Sequence, residues 1–178
     1  RSIAAIRAMG LLGSAWCVPL LLEAAADADA SVSRTAMDAL AELSGPDVDR
    51  EILTQLKVAQ GKPRQLLIEV IGQRYLLAAV PALLKAAEDP DLNTRIAALG
   101  ALGATVDFQH LPVLIKRVTA ELDSAEEAKA AQQALSIAAS RMPDREACAE
   151  TLAAAMTQAA PAAKVRFLEV LATLGGNK

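Results

Sequence analysis

With 178 residues, 53% of them hydrophobic and 22% charged, the chain can bury a sizeable core, which excludes a disordered, charge-dominated segment. A net charge of −3 offers no general attraction to nucleic-acid phosphates or anionic lipid, and no apolar run reaches the roughly 18 residues of a membrane helix. Aromatic residues make up only 2%, and the apolar fraction is mostly Ala and Leu, a composition that favours helices over strands.

Taken in chain order, the apolar spacing predicts eleven helices. The first, over 2–13, carries Ile3, Ile6, Met9 and Leu12 and stops at Gly13. It begins in mid-pattern without Met, so the expectation is a piece of a longer protein whose N-terminal end exposes apolar surface and self-associates. RSIAAIRAMG leads into no cleavage site, so the given chain is read as soluble without a targeting segment, and its compartment is left undetermined. A pair follows at 18–27 and 31–43, opened by Val18-Pro19, with Asp29 or Ser31 as N-cap and Ser44-Gly45-Pro46 as the stop. The next pair, 49–59 and 62–76, has the same Ile/Leu pattern in DREILTQL without the proline. Val80-Pro81 opens 80–88, the turn EDPDLNTR offers Asp89 or Asp91 as cap to 91–104, and Gly103 closes that helix. The last pairs are 111–122 with 125–140, opened by Leu111-Pro112, and 146–159 with 162–174, ended by Gly175-Gly176.

These pairs are one unit repeated. Val18-Pro19, Val80-Pro81 and Leu111-Pro112 are spaced by 62 and 31 residues, and Arg34, Arg64, Arg95 and Lys129 by 30, 31 and 34, with Lys164 or Arg166 next. A unit this short cannot bury its own apolar faces, so successive helix pairs must stack and share a core. The predicted fold is an all-α solenoid of five and a half repeats, with residues 1–178 as one domain.

Val-Pro-x-Leu-Leu at 18–22 and 80–84, Asp-Pro-Asp at 89–91, and Arg95 with Ala97, Ala98 and Leu102 resemble the HEAT repeat family, in particular its short HEAT-like repeats of the bilin-lyase type. The likeness covers nearly the whole chain, strongest in 18–44 and 80–104 and poorest in 146–175. It implies a curved right-handed superhelix with first helices on the convex side and second helices lining the concave side.

Little in the sequence points to reaction chemistry. His110 is the single histidine, at the start of a first helix, and is read as structural. The repeated His-Glu pairs by which HEAT-like hydroxylases hold iron are absent. Cys17 and Cys148 are read as core thiols, in repeats several stacking steps apart and so beyond the Cα separation of about 7 Å that a disulfide spans. The Asp pairs 27/29, 47/49 and 89/91 are read as turn and cap residues rather than cation ligands. Gly10/Gly13 and Gly100/Gly103, with no preceding strand and no following Lys-Ser/Thr, are read as points of close helix approach rather than phosphate loops. The basic series is read as a structural ladder, since the resemblance pairs this arginine with an aspartate along the repeats and Arg34 and Arg95 match the position. No catalytic residue, metal or cofactor is expected.

A binding face is placed by counting one, four and eight residues beyond each basic landmark, with two, three and six facing the core. It selects Thr35, Asp38 and Glu42; Gln65, Ile68 and Gly72 with adjacent Glu69 and Gln73; Ile96, Leu99 and Gly103; and Ala130, Gln133 and Ile137. The concave partner-binding set is thus Asp38, Glu42, Gln65, Ile68, Glu69, Gln73, Ile96, Leu99 and Gln133, an apolar middle flanked by acids and amides. The competing reading puts Ile68, Ile96 and Leu99 in the core. The expected function is a non-enzymatic scaffold that binds a protein or peptide, without nucleic acid or membrane. The alternatives are an accessory domain of a larger enzyme, bilin-lyase-like or redox, and a HEAT-like DNA repair glycosylase, which the acidic balance and the scarcity of aromatics disfavour.

Overall fold

The structure is a computed structural model that describes residues 2–122 and 124–175. Among the described residues it is all-helical: α1 (Ile3–Leu12), α2 (Cys17–Ala25), α3 (Ala30–Glu42), α4 (Pro46–Val58), α5 (Gly61–Gln73), α6 (Val80–Ala86), α7 (Leu92–Thr105), α8 (Leu111–Thr119), α9 (Ala125–Arg141), α10 (Arg145–Thr157) and α11 (Pro161–Gly175), with one 3-10 turn at Leu77–Ala79. Each predicted helix is present. Gly176 of the expected C-terminal stop lies outside the described residues.

The helices gather into two compact units, residues 1–79 and 80–178. Within the first unit α2 pairs with α3 and α4 with α5, while the second helices pack on one another, α1 on α3 and α3 on α5. The same plan fills the second unit, with hairpins α6/α7, α8/α9 and α10/α11 and second-helix packing of α7 on α9 and α9 on α11. Alanine at the contacts lets helices approach closely, and Leu supplies the apolar area. Ala98, Leu99, Leu102, Leu114, Leu135, Ala138, Leu152 and Phe167 are all fully buried in the second unit, and each large side chain so placed contributes about 1.5–3 kcal/mol.

Side-chain caps fix four of the helix starts. The Asp29 carboxylate accepts from the Ser31 and Val32 amides at 2.8 and 3.3 Å, so Asp29 rather than Ser31 caps α3. Asp91 caps α7 by accepting from the Thr94 amide and hydroxyl at 2.8 and 2.6 Å. Ser124 and Asp144 do the same for α9 and α10. The start of α4 differs from expectation. Pro46 at its first turn extends the helix three residues upstream of 49, because proline's fixed φ suits that position and its missing N–H is not needed there. Asp47 and Asp49 therefore lie inside the first turn of a helix.

Helix ends show two corrections. Gly103 does not stop its helix, since α7 runs on to Thr105. The end of α5 is closed by Tyr75 at φ 53°, its amide donating to Gly72 O and that of Leu76 to Ile71 O, a Schellman pattern in which glycine is the usual left-handed residue. At the end of α1 the expected Gly13 takes that role at φ 63°, and a Cβ there would lie 3.2 Å from Ser44 O.

Candidate functional site

Helices α3 and α9 each pack a second helix on two sides and their hairpin partner on a third, so only a narrow stripe remains for solvent. In α3 that stripe is Asp38 and Glu42, and in α9 it is Gln133 and Ile137, as the counting rule predicts. In α5 and α7 the rule fails by one residue. Ile68 and Leu99 are 0% exposed, and Gly72 and Gly103 are buried as well, while Glu69, Gln73 and Gly100 are exposed. Ile96 and Gln65 are half-buried.

The reason is a drift of the landmark. Arg34 and Lys129 are the fifth residues of α3 and α9, whereas Arg64 and Arg95 are the fourth of α5 and α7. One residue is about 100° of helix rotation, enough to turn a core position outward. Ile68 and Leu99 are core residues and leave the candidate face, so that of the expected apolar middle only the half-buried Ile96 stays. The exposed stripe is polar in α3 and α5: Asp38, Glu42, Glu69 and Gln73.

In the first unit this stripe borders a cavity of about 540 Å³ between α1 and α3. Its walls are Arg7 and Leu11 from α1, Thr35, Asp38 and Glu42 from α3, and Ser44 beyond the end of α3. The helices run parallel here, with Gly10 against Ala39 and Gly13 against Ser44. A Cβ on Gly10 would come within 3.1 Å of the Ala39 Cβ, so the missing side chain is what allows the approach that forms the cavity floor. Among the described residues neither Asp38 nor Glu42 enters an ion pair.

Of the two arginines expected in a ladder, Arg95 is ion-paired, whereas Arg34 is exposed and enters no ion pair among the described residues. Arg95 forms a two-pronged ion pair with Glu127, Nε to Oε1 at 3.0 Å and Nη2 to Oε2 at 2.8 Å, and its Nη1 donates to the carbonyls of Asp89 and Pro90. Arg117 Nη1 stands 3.7 Å from Oε1 of the same carboxylate. Glu127 is 2% exposed, and the hydrogen bonds from Arg95, reinforced by both guanidinium charges, hold its carboxyl below the usual glutamate range against the opposing effect of burial. The ladder's acid is thus a glutamate one repeat downstream. Ser124-x-x-Glu127 has the pattern of a capping box, and Ser124 Oγ does accept from the Glu127 amide at 3.2 Å. The Glu127 carboxylate goes to Arg95 instead of back to the helix start.

Sequence reasoning missed a second set of arginines, which cap helix C-termini. Arg74 donates from Nη1 to the carbonyls of Leu40, Ala41 and Leu43 at 3.0, 2.9 and 2.6 Å, and from Nε and Nη2 to Asp49. Arg117 donates to Ala87 O, Arg141 to Gly103 O and Arg166 to Val118 O. Each supplies donors and positive charge to the negative end of a neighbouring helix. Asp47 pairs with Arg50 and Asp49 with Arg74, so this aspartate pair serves arginines and not a turn, whereas Asp27 and Asp89 accept from the amides of Asp29 and Asp91 as turn residues do.

The remaining candidates have local roles. His110 places Nδ1 2.7 Å from Asp107 Oδ1 at the start of α8, and this contact holds the exposed Asp107 carboxyl below its usual range. Cys17 and Cys148 are free, buried thiols, with burial raising the pKa of each. Of the glycine pairs, Gly10 and Gly103 mark close approaches, Gly13 is a helix end, and Gly100 faces open space. Among the described residues no three His, Cys, Asp or Glu side chains come together as metal ligands, and no helix is long and apolar enough to cross a membrane.

No curated protein matches the chain. Among family models, that of the HEAT repeats matches residues 50–136, from the first turns of α4 into α9. Repeats of this kind generally mediate protein–protein interaction. Residues 50–136, nearly half of the chain, are thus HEAT repeats, and the hairpins described on either side of them follow the same all-helical plan.

Proposed function

We propose that the chain is a non-enzymatic scaffold that holds a partner protein or peptide against the exposed stripes of its second helices. The observation that carries this reading is the cavity between α1 and α3, bordered by Asp38 and Glu42 on the stripe that the helix packing leaves free. Buried positions are committed to stacking, so the stripe residues can vary without disturbing the core. Asp38, Glu42, Glu69 and Gln73 form the candidate contact set of the first unit, and Gln133 is a separate candidate in the second. Charge reversal at Asp38 and Glu69 together, both exposed, is expected to weaken binding of the native partner without lowering Tm. Unchanged binding by the reversed variant would contradict this assignment.

A further inference from the structure

We infer that the chain associates head to tail with a second copy of itself, the outer face of α11 in one copy packing on the outer face of α1 in the next. Neither the cavity nor the acidic stripe of the scaffold reading enters this contact.

Two exposed apolar stripes form it. On α1 the residues opposite the α3 contact are Ala5, Ala8 and Leu12: Gly10 is set against Ala39, and positions two and five residues from Gly10 lie about 140–160° round the helix. All three are exposed, Leu12 at 63%. On α11 the stripe is Val165, Leu168 and Ala172, also exposed, with both large residues at 56%. Each stripe has the i, i+3, i+7 spacing of one helix face, and neither contains a charged or polar residue. A solvent face of a helix is ordinarily polar, and an apolar one marks an interaction surface.

The packing inside each unit shows what covers such a face. Helix α3 is flanked by α1 and α5, and α9 by α7 and α11, so each of these second helices is covered by second helices on two sides. The stripes occupy the corresponding places at the two ends. Gln132 and Ser136, the eighth and twelfth residues of α9, face α11 through the Glu169 carboxylate and, at 3.0 Å, the Thr173 hydroxyl. The eighth and twelfth residues of α11 are Leu168 and Ala172. On the receiving side, Ala39 of α3 takes Gly10, and 31 residues earlier, one repeat spacing, lies Ala8.

The two stripes also fit each other in the parallel orientation that α1 adopts on α3 and α9 on α11. Helix α1 has its small residues, Ala5 and Ala8, towards its start and Leu12 at its end, whereas α11 has Val165 and Leu168 before Ala172. Parallel packing sets Val165 and Leu168 over Ala5 and Ala8, and Leu12 over Ala172, large against small along the contact. The two surfaces differ, so the interface is heterologous and each added copy brings a fresh stripe for the next.

Sedimentation velocity over a wide range of concentration tests this. The weight-average mass of the unaltered chain should rise beyond that of a dimer as concentration increases. Leu12→Glu and Leu168→Glu, exposed changes at opposite ends, should each give a monomer with unaltered helix content. Mixed in equal amounts, the two variants should form a dimer of twice the monomer mass, since each retains the stripe that the other has lost. Ala8→Lys and Val165→Lys take their places if either variant loses helix content by circular dichroism. A monomer at every concentration overturns the inference and leaves the stripes to a different polypeptide. Association that survives Leu168→Glu overturns it in favour of a contact between two α1 faces, and monomeric variants that fail to combine when mixed overturn it as well.

Discussion

In the second unit one nearly buried carboxylate, that of Glu127, answers two arginines. Replacement of Glu127 by Ala leaves Arg95 and Arg117 facing each other without a counter-charge. Loss of a buried partner costs about 3–5 kcal/mol, and since the Arg95 side chain is 22% exposed, about 2–3 kcal/mol of destabilisation is expected. The pH dependence has a definite sign. The folded carboxyl titrates below its unfolded value, so its contribution is complete above the unfolded value of about pH 4.3 and is lost as pH falls through the folded one. Urea unfolding of the wild type and Glu127→Gln should therefore show a stability gap that is constant near neutral pH and narrows below about pH 4.3. A gap that stays constant on acidification would contradict the ion-pair account. Arg95 was legible in the sequence from its place after the Asp-Pro-Asp turn. Its partner was not, because Glu127 lies 32 residues away and its own surroundings advertise a local cap.

Helix–helix contact explains which glycines matter. A Cβ on Gly103 would lie 2.8 Å from the Ala134 Cα and 2.9 Å from its carbonyl oxygen, backbone atoms that cannot yield without moving α9. Gly103→Ala should cost about 1–3 kcal/mol. Gly100, one turn earlier in the same helix, has nothing within 4 Å of such a Cβ, so Gly100→Ala should stabilise by about 0.5–1 kcal/mol. Chemical denaturation of both variants checks the pair, and opposite signs are the expected result. The helices themselves could be read from apolar period, proline and aspartate, since these signals are local. Which face each helix turns outward could not be read as reliably. The landmark sits at the fourth residue of α5 and α7 but the fifth of α3 and α9, and only packing reveals that rotation. The arginines that cap helix ends were equally hidden, because Arg74 and Arg141 serve carbonyls more than thirty residues away.

For the whole chain, the repeat spacing was enough to indicate HEAT repeats, and the matched span 50–136 begins inside α4, which lacks the Val-Pro opening and starts on Gly45-Pro46 instead. Function is less legible, because stacking constrains the buried positions while the exposed stripe is free to encode a partner. The charges Asp38, Glu42 and Glu69 are recoverable only after the core has been assigned. The most direct test of the scaffold account places a photo-crosslinking amino acid at single exposed sites and maps adducts to the native partner. Positions 38, 69 and 133 sample the second-helix stripes, and positions 54, 116 and 150, equally exposed, sample the first helices α4, α8 and α10. The account predicts partner adducts from the second-helix positions and none from the first-helix positions; adducts confined to positions 54, 116 and 150 would contradict it.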